Sequence, residues 1–140
     1  MDSKKLIFAT LGGFVVMFFM GFLWYTQLMK NFYEANAGSA TGFEKDPPDL
    51  AILALGVLII AFAMAYLYPK WSGGVNNAKQ GYIFGALIGL VLFGLGFIQF
   101  ATANLANMTA YIVDGCFHVF IEQALTGVVI ALIYGKTKDE

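Results

Sequence analysis

Residues 111–135 read YIVDGCFHVFIEQALTGVVIALIYG, and this stretch decides both the fold class and where to look for function. Apart from two acids and one histidine it is apolar, and it exceeds the roughly 20 residues that an α-helix needs to cross a bilayer. The exceptions, Asp114, His118 and Glu122, follow one another at four-residue intervals. Such a step is slightly more than one helical turn, so the three side chains form a slanted column on one face. Charged groups in hydrocarbon cost about 2.5–3.5 kcal/mol each on insertion scales, so the column is where function is to be sought.

Three further apolar runs accompany this one, and together they predict an all-α, polytopic integral membrane protein. The chain is 59% hydrophobic and 12% charged, with a mean hydropathy of +0.72. Soluble domains carry about 25% charged residues. The residues between the runs are too few for a second core, so we predict a single domain over residues 1–140, with four transmembrane helices in one bundle. The predicted spans are about 6–29, 47–68, 81–103 and 110–134.

The charge and cysteine content exclude several classes of function. The net charge is −1 and there is no arginine, so neither nucleic acid nor strong anion recognition is expected. Cys116 is the only cysteine, which rules out an intrachain disulfide and a cysteine-based metal knuckle. We predict that it is a small buried apolar residue, and we expect no cofactor and no metal.

The lysines predict the orientation in the membrane. Four spans place both termini and the 69–80 connection on one side, with six lysines against two on the other. By the positive-inside rule both termini face the cytoplasm. The six lysines are Lys4, Lys5, Lys70, Lys79, Lys136 and Lys138.

The opposite side of the membrane receives the longest connection, residues 31–46. The first span ends in an aromatic cluster typical of a membrane interface, formed by Trp24, Tyr25, Phe32 and Tyr33. Before the second span, Asp46 is predicted to cap the helix, with Pro47 at its first position and Asp49 in a capping box.

Small residues at four-residue spacing predict where helices pack closely, because close backbone approach supports helix association in lipid. The third and fourth spans each carry such a ridge, and the ridges are expected to meet within the chain or at an oligomer interface. The positions are Gly81, Gly85 and Gly89 in the third span, and Gly127, Ala131 and Gly135 in the fourth.

Three interpretations of the polar column compete. It is a structural seam of hydrogen bonds, worth about 0.6–2 kcal/mol each; a path for protons, a cation or a small solute; or a metal or catalytic site. The third is disfavoured, since Asp114 and Glu122 lie about 12 Å apart along the helix axis and the third and fourth spans contain no serine. Thr126 continues the column, Gln99 faces it from the third span, and Asn104 and Asn107 lie at its mouth.

The stretch Gly21-Phe-Leu-Trp24-Tyr25 resembles the motif that ends the first helix in a family of small bacterial membrane proteins, domain-of-unknown-function family 1761. The resemblance extends to size, four spans, a Gly-rich third helix, and a fourth helix with a polar residue or histidine before a Gly/Ala-rich end, and it implies a bacterial inner membrane. The chain departs from the family pattern at Thr26-Gln27, where a small residue and a proline are expected. The resemblance implies that Trp24, Tyr25 and His118 share a site, but it carries no activity.

The working hypothesis is an outward-facing polar pocket formed by the first, third and fourth spans. Glu122 is its deepest titratable group, His118 its proton-exchanging centre, and Asp114 its entrance carboxylate. One chain has too few helices for an ordinary alternating-access transporter, so we expect a homo-oligomer or a subunit of a membrane complex. The alternative is a structural or accessory subunit in which the column only fixes helix packing; an enzyme is not favoured.

Overall fold

The computed structural model describes residues 2–42, 45 and 47–136, and over these residues it is all-helical without strands. Four helices are long and apolar enough to cross a membrane, as the sequence predicts. The helices are α1 (Ser3–Leu28), the short α2 (Lys30–Ala35), α3 (Leu50–Trp71), α4 (Ala78–Thr102) and α5 (Met108–Gly135).

Side-chain caps define where all four long helices begin, and Asp2 is the cap of α1. The predicted start of α3 at Pro47 is wrong: the helix begins at Leu50, and the Asp49 carboxylate accepts hydrogen bonds from two backbone N–H groups of the first turn, both at 3.1 Å. Asp46, the predicted cap, lies outside the described residues. Asn77 and Asn107 cap α4 and α5 in the same way. Each cap satisfies N–H groups that the helix itself cannot.

Helix α5 is the centre of the bundle. In its most apolar stretch 50% of the residues are buried, against 17–22% in the other three long helices. It packs most extensively on α4 and α1, while α3 packs mainly on α1 and less extensively on α5 and α4. The core around it includes Met64 and Tyr68 of α3, Phe84 of α4 and Ile130 of α5. Anything built into α5 is therefore shielded by helices on both sides.

The contact between α4 and α5 depends on glycine. A methyl group added at Gly89 would lie 2.5 Å from the carbonyl oxygen of His118, and one at Gly85 would overlap the backbone of Gln123. One at Gly81 would lie 2.6 Å from Cβ of Ala131. The two small-residue ridges thus meet each other, and backbone touches backbone along this interface. Gly135, at the end of the ridge, approaches Asn76 instead.

Two of the long helices contain a π-helical segment, which the sequence analysis did not predict. The segments are Leu23–Leu28 at the end of α1 and His118–Glu122 in the middle of α5. In each helix a threonine hydroxyl donates to a carbonyl beside the irregular turn: Thr26 to Phe22, and Thr126 to Glu122, both at 2.7 Å. Such turns change which side chains share a face and are frequent at functional sites.

The two ends of the bundle differ. One end, which we call the terminal face, carries residues 2–5, the turn at 72–77 and Lys136. The other end, which we call the distal face, carries α2 and the connections that follow α2 and α4. At the distal face residues 36–40 run antiparallel to residues 104–107. Three backbone hydrogen bonds of 2.9–3.0 Å join the two segments, and Asn107 Nδ2 donates to Asn36 Oδ1 at 2.7 Å. We call residues 36–40 the strap.

Candidate functional site

The Asp–His–Glu column forms a hydrogen-bonded chain within α5. The Nδ1 atom of His118 lies 2.7 Å from Oε2 of Glu122, and Nε2 lies 3.5 Å from Oδ2 of Asp114. The carboxylates therefore contact opposite nitrogens of one ring. A ring nitrogen must carry a proton to donate to its carboxylate, so the protonation of the imidazole is coupled to both acids.

The column runs from a partly open end to a closed end. The side-chain exposure falls from 32% at Asp114 to 20% at His118 and 7% at Glu122. Glu122 is 14 residues after the start of α5 and 13 before its end, close to the middle of the span. Its neighbours along the chain are buried too: Gln123 is 1% exposed and Thr126 is fully buried. The deepest carboxylate thus lies where water is scarcest.

Two tyrosines from the distal end of the bundle complete the site around Asp114. The hydroxyl of Tyr25 donates to Oδ1 of Asp114 and lies 3.4 Å from Nε2 of His118. The hydroxyl of Tyr33 donates to the same Asp114 oxygen at 3.0 Å. One carboxylate therefore joins α1, α2 and α5.

Trp24 packs on α5 and donates a hydrogen bond to α2, and so supports the position of Tyr33. Its ring stacks on Phe117 with centroids 4.3 Å apart and planes within 5°. Its indole N–H donates to the hydroxyl of Tyr33 at 3.0 Å. Trp24 and Tyr25 are adjacent in sequence and both belong to the π-helical end of α1. The aromatic cluster predicted as an interfacial belt is thus also part of the site.

Tyr33 lies outside the membrane-spanning helices, and its ionisation is perturbed. Burial raises the pKa of the Tyr33 phenol above its ordinary value; the hydrogen bond from Trp24 opposes this rise, and the negative charge of Asp114 adds to it. Tyr33 therefore stays a neutral hydrogen-bond donor at physiological pH.

The buried end of the column depends on Gly21 and Gln123. A methyl group at Gly21 would lie 3.1 Å from Oε1 of Glu122, so the glycine leaves room for the carboxylate beside α1. The Gln123 side chain donates to Oε2 of Glu122 at 3.2 Å, while its own buried Oε1 has no hydrogen-bond partner among the residues that the structure describes. The Gly21-Phe-Leu-Trp24-Tyr25 motif therefore contacts the column at both its deep and its distal ends.

A cavity of about 550 Å³ opens at the distal face beside this cluster. It is bounded by the two tyrosines, by the strap and by the connection after α4. Lys30 and Glu34 stand at its rim as an exposed ion pair, 3.9 Å apart. We call this cavity the vestibule; its lining residues are Tyr25, Lys30, Tyr33, Glu34, Ala37, Leu105 and Ala106.

The other predicted site residues lie outside the column. Gln99 is exposed on α4. Asn104 accepts a backbone hydrogen bond from Ala40 of the strap, and Asn107 caps α5 and holds Asn36. The distal connection uses both asparagines for structure.

The prediction that Cys116 is buried is wrong. Cys116 is exposed, because it follows Asp114 by two residues and so points to the opposite side of α5. In the residues that the structure describes, no group of three or more His, Cys, Asp or Glu side chains is arranged to hold a metal ion.

Sequence reasoning missed Tyr33 and Gln123 as site residues. Tyr33 was placed in the aromatic belt, and no periodicity within α5 or α1 could connect it with Asp114. Gln123 follows Glu122 directly and would point elsewhere in a regular α-helix. Neither position carried a pattern from which its contact could be found.

The fold and the site define a class: an all-helical integral membrane protein with four long apolar helices and an Asp–His–Glu column flanked by tyrosines. Within that class the chain belongs to the family described as Protein of unknown function (DUF1761), whose sequence pattern matches residues 8–133. The match confirms the resemblance drawn from the motif at the end of α1. No curated protein and no solved structure matches the chain.

Proposed function

We propose that the Asp–His–Glu column is a proton-exchange site, open to the distal face, that serves proton-linked transport of a small solute or cation. The observation that carries this proposal is the continuous chain of contacts from Tyr33 through Asp114 and His118 to Glu122. It begins beside the vestibule and ends at a carboxylate buried near the middle of the span. Acid and histidine chains inside membranes are typical of proton relays.

The chemistry of the column suits proton exchange. With both ring nitrogens of His118 protonated and both acids ionised, the three side chains carry a net charge of −1; loss of one proton makes it −2. In a low-dielectric interior each such change alters the field strongly. A cation or a proton arriving at Glu122 would therefore be coupled to the state of His118.

The vestibule is the natural entrance. It adjoins Tyr25 and Tyr33, whose hydroxyls touch the outermost carboxylate. Its volume of about 550 Å³ is within the range of small-molecule sites, about 300–1,000 Å³. The Lys30–Glu34 pair at the rim offers charges of both signs.

The proposed orientation places the distal face outside and both termini in the cytoplasm of a bacterial inner membrane. The lysine distribution supports it, since Lys4, Lys5, Lys70, Lys79 and Lys136 lie on the terminal face. Because the polar column ends near the middle of α5, we propose that a homo-oligomer or a larger membrane complex completes the path. A single four-helix chain lacks the inverted repeats of ordinary secondary transporters.

A structural or accessory role is the second candidate, and one observation favours it. Asp114 already accepts hydrogen bonds from both tyrosines, which tie α1 and α2 to α5. A column saturated by its own partners could simply fix the arrangement of the helices. This reading places the protein as a subunit of a larger complex.

The experiment that separates the two is a pH titration of His118 by NMR, with ring-labelled protein in nanodiscs. His118 is the only histidine, so its ring signals need no assignment. We expect His118 to titrate in the wild type, and the midpoint of its titration to shift clearly in Glu122→Gln. Asp49→Asn removes an exposed acid outside both the column and the vestibule, keeps a side chain able to cap α3, and should leave the midpoint unchanged.

A flux measurement completes the test. Proteoliposomes containing a trapped pH-sensitive dye should show protein-dependent proton movement that is lost in Glu122→Gln and retained in Asp49→Asn. A histidine that stays in one protonation state throughout, together with no flux and a loss of thermal stability in Glu122→Gln, would assign the column to structure and end the transport proposal.

A further inference from the structure

A second cavity lies at the opposite end of the molecule, between α1 and α5. It is a groove of about 750 Å³ that starts at the terminal face. Its walls are apolar side chains that face the lipid, among them Phe8, Leu11 and Val15 of α1, which are 48–63% exposed. A methyl group on Gly12 would lie 2.8 Å from Cδ1 of Ile133, so α5 closes the floor at that position.

The mouth of the groove is cationic. Lys4, Lys5 and Lys136 line it together with one acid, Asp2. The Lys5 ammonium donates to the carbonyl oxygens of Tyr134 at 3.0 Å and Lys136 at 2.7 Å, which holds this charge across the end of α5. The Asp2 carboxylate accepts backbone N–H bonds as the cap of α1. Lys4 and Lys136 are exposed.

We infer that this groove binds one anionic phospholipid, with an acyl chain along α1 and α5 and the phosphate among the three lysines. The length fits: Lys4 and Val16 are the limits of the groove on α1, and they are about 18 Å apart along the helix at 1.5 Å per residue. One leaflet contributes about half of a hydrocarbon core of roughly 30 Å. The groove therefore spans the depth of one acyl chain.

The charge pattern favours a lipid over a helix from a second copy of this chain. A lipid brings an anionic group at the membrane surface and a flexible apolar chain below it, which matches a cationic mouth above an apolar groove. Lysines are compact point charges and suit a monovalent phosphodiester. A helix from a second copy would have to supply an acid at one defined position to balance the excess of lysine charge.

The test measures lipid retention by native mass spectrometry of the full chain released from detergent. The probes are dioleoyl phosphatidylglycerol and dioleoyl phosphatidylcholine, which differ in headgroup charge. We expect one phosphatidylglycerol to be retained, and phosphatidylcholine to bind about tenfold more weakly or worse. The double variant Lys4→Gln/Lys136→Gln should bring phosphatidylglycerol down to the same level. Lys70→Gln/Lys79→Gln removes the same charge from the same face outside the groove and should leave retention unchanged.

A second pair of variants tests the acyl chain. Val15→Trp fills the groove without changing charge, and Val15 is 48% exposed, so the fold should tolerate the larger ring. It should reduce phosphatidylglycerol retention, whereas Val91→Trp on the exposed side of α4 should not. Equal retention of the two lipids, or equal loss in the two double variants, would overturn the inference. A lipid-free dimer abolished by Val15→Trp would also overturn it and assign the groove to a second copy.

Discussion

Replacing Gly85 with alanine tests the close contact on which the central helix depends. In the native protein the Cα of Gly85 faces the backbone of Gln123 and Ala124. An added methyl group would lie 2.7 Å from the carbonyl carbon of Gln123 and 2.8 Å from Cα of Ala124, where ordinary contacts are 3.4–4 Å. These are backbone atoms, which cannot rotate away as a side chain can.

The magnitude follows from that overlap. The added methyl group would overlap the carbonyl oxygen of Gln123 most severely, and relieving its contact with the carbonyl carbon alone requires α4 and α5 to separate by 0.7 Å, since 3.4 Å less 2.7 Å is 0.7 Å. Overpacking of this kind costs about 1–3 kcal/mol. The gain in helix propensity from glycine to alanine, about 0.5–1 kcal/mol, offsets part of it. We expect a net loss of about 1–2 kcal/mol in the free energy of unfolding, or roughly five- to thirtyfold in the folded-to-unfolded ratio.

The assay is equilibrium unfolding in mixed micelles, followed by tryptophan fluorescence and circular dichroism. Gly94→Ala is the matched control, because it makes the same change in the same helix, and among the described residues no atom beyond the local backbone of α4 lies within 4 Å of the added methyl group. It should leave the stability unchanged or raise it slightly. If Gly85→Ala were as stable as Gly94→Ala, the backbone contact would not be the feature that holds α4 to α5.

Three further predictions concern the distal face and the lipid-facing surface. Tyr33 holds its proton more tightly in the folded state, so the free energy of unfolding should fall as pH rises above about 10. Denaturation curves measured at pH 9 and 11 should show a smaller fall in Tyr33→Phe. Gly38→Ala, whose methyl group would overlap the backbone of Asn104, should detach the strap and raise amide exchange over residues 36–40 by about tenfold or more, whereas Ser39→Ala should not. The exposed Cys116 should react with a membrane-soluble maleimide and resist a charged, impermeant one; equal labelling by both would place that side of α5 against water.

Much of the fold could be predicted from hydropathy, because a bilayer admits few structures. Backbone groups in hydrocarbon must be satisfied internally, so an apolar run of about 20 residues is a helix almost regardless of its detail. That argument predicted four spans and the all-α class. The predicted start of α3 at Pro47 is wrong, because the Asp49 side chain accepts hydrogen bonds from the first backbone N–H groups and the helix begins at Leu50.

The candidate site was predictable only in part. The four-residue spacing brought Asp114, His118 and Glu122 into one chain of contacts within a single helix. Helical periodicity relates residues within one helix, so it could not predict partners from other helices. The Tyr33–Asp114 contact, for example, joins residues 81 positions apart. The irregular turn at His118–Glu122 also changes the local geometry without any proline or glycine inside it to mark it.

The central position of α5 also bears on how the chain is made. This helix is synthesised after the helices that pack on it. Helix α4 therefore enters the membrane before α5 is available to cover its glycine face. The α1–α3 pair can associate early, but α4 has little to hold it until α5 arrives. Ribosomes add about 5–20 residues per second, so this interval lasts seconds, long enough for chaperones, proteases or a neighbouring chain to engage the exposed surface. A chain that stalls before Asp114 would hold three inserted helices and no common core.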